Sequence, residues 1–252
     1  MEENRKGIKV SLAPMLKAFA RLQEIRRILR GKSGLKGEAS GHGKKREVQR
    51  MGMIAGRGMP KSQIVGIGIS TGGPKALSQI MPEFSADIGV PILIVQHMPA
   101  VFTQALAKSL DSKCALKVKE AVDGEPVLPN NVFIAPGGKQ MKVVAGADGK
   151  SRIIRITDDP DENHCKPSID YLFRSLARHY VGRATGVIMT GMGSDGIQGV
   201  KLMKQHGSTI IAQDEWSCVV FGMPKEAIAA RIVDVIAPLD RISAEITNTV
   251  KI

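Results

Sequence analysis

Residues 63–81 read QIVGIGISTGGPKALSQIM, and their order decides the fold class. Gln63–Ile69 is a short, β-branched apolar run with no polar face, the signature of a strand buried on both sides of a parallel sheet. It ends in a Gly-rich turn, and Ala76, Leu77 and Ile80 then recur at helical spacing over Gly73–Met81. Strand, tight turn and helix are the first half of a βαβ unit.

The same grammar repeats outward from this segment. Pro91–Val95 (PILIV) reads as a second buried strand, followed by His97 and a helix around Phe102–Leu110. Short runs at Val132–Ala135, Lys142–Ala145 and Arg152–Ile156, parted by Gly, Asn, Asp and Pro, predict antiparallel hairpins. Ser168–Tyr180 is helical, with Pro167 near its start. Gly186–Thr190 is a strand, Ile197–Gln205 a helix, Ser208–Ala212 a strand and Pro224–Ala230 a helix. The fold class expected is therefore α/β: a doubly wound, mostly parallel sheet with helices on both faces and a small antiparallel hairpin section.

Charge divides the 252 residues into two parts. Residues 1–62 carry 16 Lys and Arg against 5 acidic residues, whereas residues 63–252 carry 20 against 19. Almost all of the net charge of +12 sits in the first quarter. Within that arm, Val10–Arg30 has the apolar spacing of a short helix, and residues 31–62 have the Gly, Ser, Lys and Arg content of a flexible linker. The domains expected are a basic arm over 1–62 and a globular α/β domain over 63–252. The arm holds one aromatic residue, Phe19, so it offers no stacking platform, and a solvated linker is preferred to nucleic acid or an anionic lipid surface as the explanation of its charge. Pro14 and Lys17 interrupt the only stretch that imitates a signal peptide. No run of 18 apolar residues exists to span a membrane. Met51, Met53 and Met59 offer alternative starts close to the folded part. Cys114, Cys165 and Cys218 lack C-x-x-C spacing, which argues against a zinc ribbon, an iron–sulfur site or a disulfide framework and for thiols in a reducing compartment.

In open α/β sheets, sites form beyond the carboxyl ends of the strands. Three strands here run into loops rich in reactive groups: Gly68–Gly73 with Ser70, Gln96–Met98 with His97, and Thr190–Gly196 with Asp195. Hydroxyl, imidazole and carboxylate are the inventory of a serine triad. Gly68–Gly72 also fits G-x-S-x-G on a strand-to-helix turn. A nucleotide loop fits less well: Thr71 stands where the third glycine of G-x-G-x-x-G belongs, and Gly73-Pro74-Lys75 lacks the Walker ending. Of the other histidines, His42 falls in the linker and His179 and His206 in or at the ends of helices. His164, in a polar loop, is the one competitor to His97. Met98, Met192 and Met223 read as core residues before cleft residues.

Six blocks carry a resemblance: GIGISTGGPKAL (66–77), VQHMPAVFTQALAKSL (95–110), VFIAPGGKQM (132–141), HCKPSIDYLFRSLA (164–177), GVIMTGMGSDGIQG (186–199) and AQDEWSCVVFGMPKEA (212–227). Together and in this order they resemble the catalytic domain of the CheB-type chemotaxis protein-glutamate methylesterases. The resemblance implies Ser70 as nucleophile, His97 as general base and acid, Asp195 as the carboxylate orienting the imidazole, and the backbone N–H groups of Thr71 and Met192 as oxyanion donors. It implies hydrolysis of glutamyl methyl esters, with deamidation of glutamines by the same chemistry. It also implies cytoplasmic helices of methyl-accepting chemotaxis receptors as partners, a cytoplasmic location, and no cofactor or metal. His164, Pro167 and Ser168 would be cleft-edge or structural.

Such proteins usually carry an N-terminal phosphorylatable receiver domain. Glu2, Glu3, Glu24, Glu38 and Glu47 form no clustered acidic site of that kind. The expectation is a receiver-less enzyme, or the linker and catalytic portion of a longer gene. A non-catalytic receptor-binding module of the same fold is the competing reading. A nucleotide-binding enzyme ranks below both.

Overall fold

The computed structural model describes residues 48–50 and 61–250. The helix expected at Val10–Arg30 and most of the linker lie outside the described residues. The elements are β1 (Gln49–Arg50), β2 (Ile64–Ile69), α1 (Gly73–Ile80), β3 (Ile92–Gln96), α2 (Ala100–Asp111), β4 (Lys117–Glu120), β5 (Asn131–Ile134), β6 (Gln140–Ala145) and β7 (Arg152–Thr157). They continue with α3 (Ile169–His179), β8 (Ala184–Ile188), α4 (Ile197–Gln205), β9 (Thr209–Gln213), α5 (Met223–Ala229), β10 (Val235–Ala237) and α6 (Leu239–Val250).

Eight strands form one sheet in the order β1-β10-β9-β8-β2-β3-β5-β4, in which only the short edge strand β1 runs antiparallel to its neighbour. Strands β6 and β7 form a separate antiparallel pair. The chain leaves β2 toward β3 on one side and later returns as β8 on the other. The switch point, where crossovers diverge and a crevice opens, therefore falls between β2 and β8.

Period-two alternation sorts the side chains of β2 between two apolar layers. Val65, Ile67 and Ile69 join Ala76, Leu77 and Ile80 of α1, Leu106 and Leu110 of α2, and Ile242 and Ile246 of α6. Ile64 lies in the opposite layer with Phe173 and Leu176 of α3, Val200 and Met203 of α4, Ala227 of α5, and Met141, Val143 and Ile154 of the hairpin. Helices thus cover both faces, as the patterning required.

On the α3 side β2 offers glycine rather than bulk. A Cβ on Gly66 would stand 2.6 Å from Leu176 Cδ1, and one on Gly68 would stand 2.5 Å from Ile169 Cγ2. These two glycines let α3 lie directly against the central strand, which is a packing role and not a phosphate cradle. The helix itself follows from its sequence. Ser168 caps it by accepting the Tyr171 N–H at 3.3 Å, and Ile169, Leu172, Phe173 and Leu176 make one buried stripe.

One expectation is corrected. Val132–Ala135 was grouped with the antiparallel hairpins, but β5 pairs in parallel with β3, Ile92 opposite Val132 and Ile94 opposite Ile134. A four-residue apolar run bounded by turns looks the same in either setting, and only its long-range partner decides. β4, β10 and α6 had no sequence expectation: β4 is charged and half-covered, and β10 has three residues.

Candidate active site

Ser70 is the first residue beyond β2. Its N–H donates to the Thr190 carbonyl at 3.0 Å, and its carbonyl accepts the Gly73 N–H at 2.8 Å, closing the turn into α1. The turn needs Gly72, whose φ of 86° is left-handed and whose Cβ would collide with Val219 at 2.6 Å. From the other side of the switch point, a Cβ on Gly191 would come within 2.7 Å of Ser70 Cβ. The loop after β8 therefore lies directly over the serine. Thr190 Oγ1 ties the two loops by donating to the Thr71 carbonyl at 2.9 Å and accepting the N–H groups of Val219 and Val220. Among the described residues, the N–H groups of Thr71 and Met192 donate to no protein acceptor.

His97 is the first residue beyond β3, the parallel neighbour of β2, and its N–H donates to the Ile69 carbonyl at 3.1 Å. Between the two strand ends sits buried Gln96, whose Nε2 donates to the carbonyls of both Ser70 and His97 at 3.0 Å. A Cβ on Gly73 would overlap Gln96 Oε1, so this clamp requires glycine there.

The imidazole Nε2 lies 2.8 Å from Asp195 Oδ2. Asp195 is 3 % exposed and His97 16 %. Burial of a carboxylate costs several kcal/mol unless donors surround it, and here they do. Oδ1 accepts from Ser168 Oγ at 2.8 Å, from the Asp170 N–H at 3.2 Å and from Asn163 Nδ2 at 3.2 Å. Oδ2 also accepts the Ile169 N–H at 2.7 Å. Two of these donors are free N–H groups at the α3 N-terminus, where the helix dipole adds to the attraction.

Burial pushes the Asp195 carboxyl up, but the bonds from His97, Ile169 N–H and Ser168 outweigh it and hold the group below the ordinary carboxylate range. Burial alone would lower His97. The bond to Asp195, followed by contact with Cys165, reverses that and raises it to about 9. Asp170, buried beside Asp195 and bonded to Asn163 Nδ2 and the Gly199 N–H, is pushed up by burial and by the neighbouring charge.

Of the three strand-end residues singled out in the sequence, His97 and Asp195 are in direct contact, and Ser70 follows the strand next to that of His97. His164 does not join them. It is exposed, with φ of 60°, on the wall of a cleft of about 430 Å³ that also takes in His97, Met98 and Cys165. Of the three methionines, Met223 is core, Met98 is half-buried, and Met192 is 69 % exposed, against the expectation of a core residue. Asn163, Asp170, Gln96, Thr190 and Cys165 had no assigned role. The Ser168 cap was the one local signal for the donor nest around Asp195.

Comparison with known proteins assigns this fold to a family. A family model described as CheB methylesterase matches residues 65–246. The chain belongs to the CheB methylesterase family. It is 54 % identical over 208 residues to a protein-glutamate methylesterase/protein-glutamine glutaminase of Desulfotalea psychrophila, covering 82 % of this chain and 57 % of that protein. It is 50 % identical over 194 residues to such a protein of a group 3 operon in Bradyrhizobium diazoefficiens, covering 77 % and 53 %. The crystal structure of the Thermotoga maritima CheB methylesterase catalytic domain superposes with a TM-score of 0.73 at 39 % identity, covering 76 % of this chain and all of that one. The chain spans about half the length of the curated relatives it matches. Among its described residues no helix is long and apolar enough to cross a membrane.

Proposed function

We propose that this CheB-family chain is a serine hydrolase that removes methyl groups from glutamyl methyl esters on the cytoplasmic helices of chemotaxis receptors. Methanol is released, and glutamine side chains are deamidated by the same acyl chemistry. The location that follows is the cytoplasm. The observation that carries the proposal is the buried Asp195–His97 pair at 2.8 Å, at the end of the strand that runs parallel beside β2, the strand Ser70 follows.

In this reading Nε2 keeps its hydrogen on Asp195, which leaves Nδ1 as the basic nitrogen. Nδ1 takes the Ser70 proton as Oγ attacks the ester carbonyl, and the N–H groups of Thr71 and Met192 receive the developing oxyanion. The imidazolium then protonates the departing methoxide. A water, deprotonated by the same nitrogen, hydrolyses the glutamyl-enzyme and restores Ser70. Exposed Met192 in the loop after β8, with Val101 and Phe102 in the first turn of α2, would offer apolar contact to a receptor helix.

Methanol release from a methylated receptor cytoplasmic fragment tests this, comparing the wild type with Ser70→Ala. Release that falls to background in the variant is the expected result. Equal release by both proteins would overturn the assignment of Ser70, and no release from a folded wild type on a panel of receptors would overturn the activity.

A further inference from the structure

Asp195 occupies only one nitrogen of His97. The other, Nδ1, has Cys165 Sγ as its neighbour at 3.8 Å. Cys165 stands on the loop before α3, half-buried, and both residues line the cleft of about 430 Å³, so a solute can reach the pair. Among the described residues, His97, Cys165 and Asp195 are the one group of three or more His, Cys, Asp or Glu whose ligand atoms all lie within 4.8 Å of one another. Asp195 already accepts five hydrogen bonds, so it can support a ligand but not become one.

We propose that His97 Nδ1 and Cys165 Sγ form a binding site for a thiophilic divalent cation of the zinc type, and that its occupation switches the hydrolase off. The separation is that of two ligands sharing one ion. Zn–N of ~2.0–2.1 Å and Zn–S of ~2.3 Å at a tetrahedral angle put the donor atoms roughly 3.6 Å apart. The imidazole is already oriented for the task, because an Nε2–H held by a carboxylate is the usual support of a zinc-bound histidine. On binding, the site releases to solvent the thiol proton of Cys165 and, where the imidazole is protonated, the proton on Nδ1. Cys165 then coordinates as thiolate and Nδ1 through its lone pair, Nε2–H stays on Asp195, and water from the cleft completes the shell. The inhibition rests on the role proposed above for Nδ1: a nitrogen bound to the ion cannot accept the Ser70 proton. The sequence pointed away from such a site, since it lacks C-x-x-C spacing and the two ligands are 68 residues apart.

The test uses the full chain, stripped of metal and kept in a phosphine reductant. Zinc sulfate is titrated against a chromophoric competing chelator. One site per chain is expected, weakened at least about tenfold in both Cys165→Ala and Cys165→Ser and unaltered in Cys114→Ala. Cobalt(II) in place of zinc should give a thiolate-to-cobalt charge-transfer absorption that Cys165→Ser abolishes, a signature that no structural role of the thiol would produce. Methanol release should be lost in zinc and return with EDTA, while each Cys165 variant keeps its own metal-free rate at zinc concentrations that silence the wild type. Equal zinc affinity in the wild type and both Cys165 variants would overturn the site, and equal inhibition of all three would overturn the switch. If the metal-free wild type releases no methanol, the esterase reading fails alone, and the titration and cobalt spectrum still decide the metal site.

Discussion

Replacing Asp195 by Asn keeps the shape of the side chain and removes one acceptor. Every group facing this carboxylate is a donor: Ser168 Oγ, Asp170 N–H and Asn163 Nδ2 at Oδ1, Ile169 N–H and His97 Nε2 at Oδ2. Whichever way the amide is placed, its NH₂ meets a backbone N–H that cannot turn round, that of Asp170 or that of Ile169. An unpaired buried donor costs about 1–3 kcal/mol. The imidazole loses more. Its rise from 6.5 to about 9 corresponds to roughly 3 kcal/mol of preference for the charged form, shared between Asp195 and Cys165. Without the carboxylate, only Cys165 still opposes burial and the His97 pKa falls. If Nε2 accepts from the new amide, the ring proton moves to Nδ1, the nitrogen needed to receive the Ser70 proton. Trapping the wrong tautomer in a triad lowers kcat by about 10⁴. Methanol release at saturating receptor fragment measures kcat, and NMR titration of the His97 ring measures its pKa. A variant within tenfold of the wild-type kcat, or a His97 still titrating near 9, would refute the reasoning.

Four further outcomes follow from the same structure. With His97 titrating near 9, the basic form is scarce at neutral pH, so methanol release is expected to climb about tenfold per pH unit from pH 7 and level off near 9; a plateau already reached at pH 7 would contradict this. The stabilisation from His97 is complete below about 6.5 and lost as pH rises through about 9, while that from Asp195 is present above 3.8 and lost on acidification. Urea midpoints are therefore expected to be highest between those limits. Gly68→Ala forces a Cβ to within 2.5 Å of Ile169, and a loss of ~1–3 kcal/mol in urea unfolding is expected, together with reduced activity because Ile169 N–H holds Asp195; an unchanged midpoint would show that α3 yields freely. Thr190→Val deprives the N–H groups of Val219 and Val220 of the acceptor they share and releases Thr71, for an expected loss of about 2–4 kcal/mol, read by the same unfolding assay.

Local grammar carried much of this protein. Ile64–Ile69, the Ser70–Gly73 turn and the apolar stripe of α1 are set by neighbours within a dozen residues, so alternation, glycine and helical spacing reveal them in the sequence. Because sites in such sheets collect at the carboxyl ends of strands, Ser70, His97 and Asp195 stand out in the sequence as candidates, each the reactive residue of a strand-end loop. Tertiary structure alone decided the rest, since it depends on which distant segments meet. Val132–Ala135 became a parallel strand because Ile92–Ile94 lies beside it. Gly66 and Gly68 look like a nucleotide loop until Phe173, Leu176 and Ile169 fill the space above them. Asp195 remains ionised in the interior because His97, Ile169 and Ser168 converge on it from 26 to 98 residues away. Cys165, a lone thiol in the sequence, gains its chemistry from an imidazole 68 residues distant. Hydrophobic pattern fixes which residues go inside, but the protonation state of a buried group is set by the donors and charges within a few ångströms of it, and those are chosen by the fold.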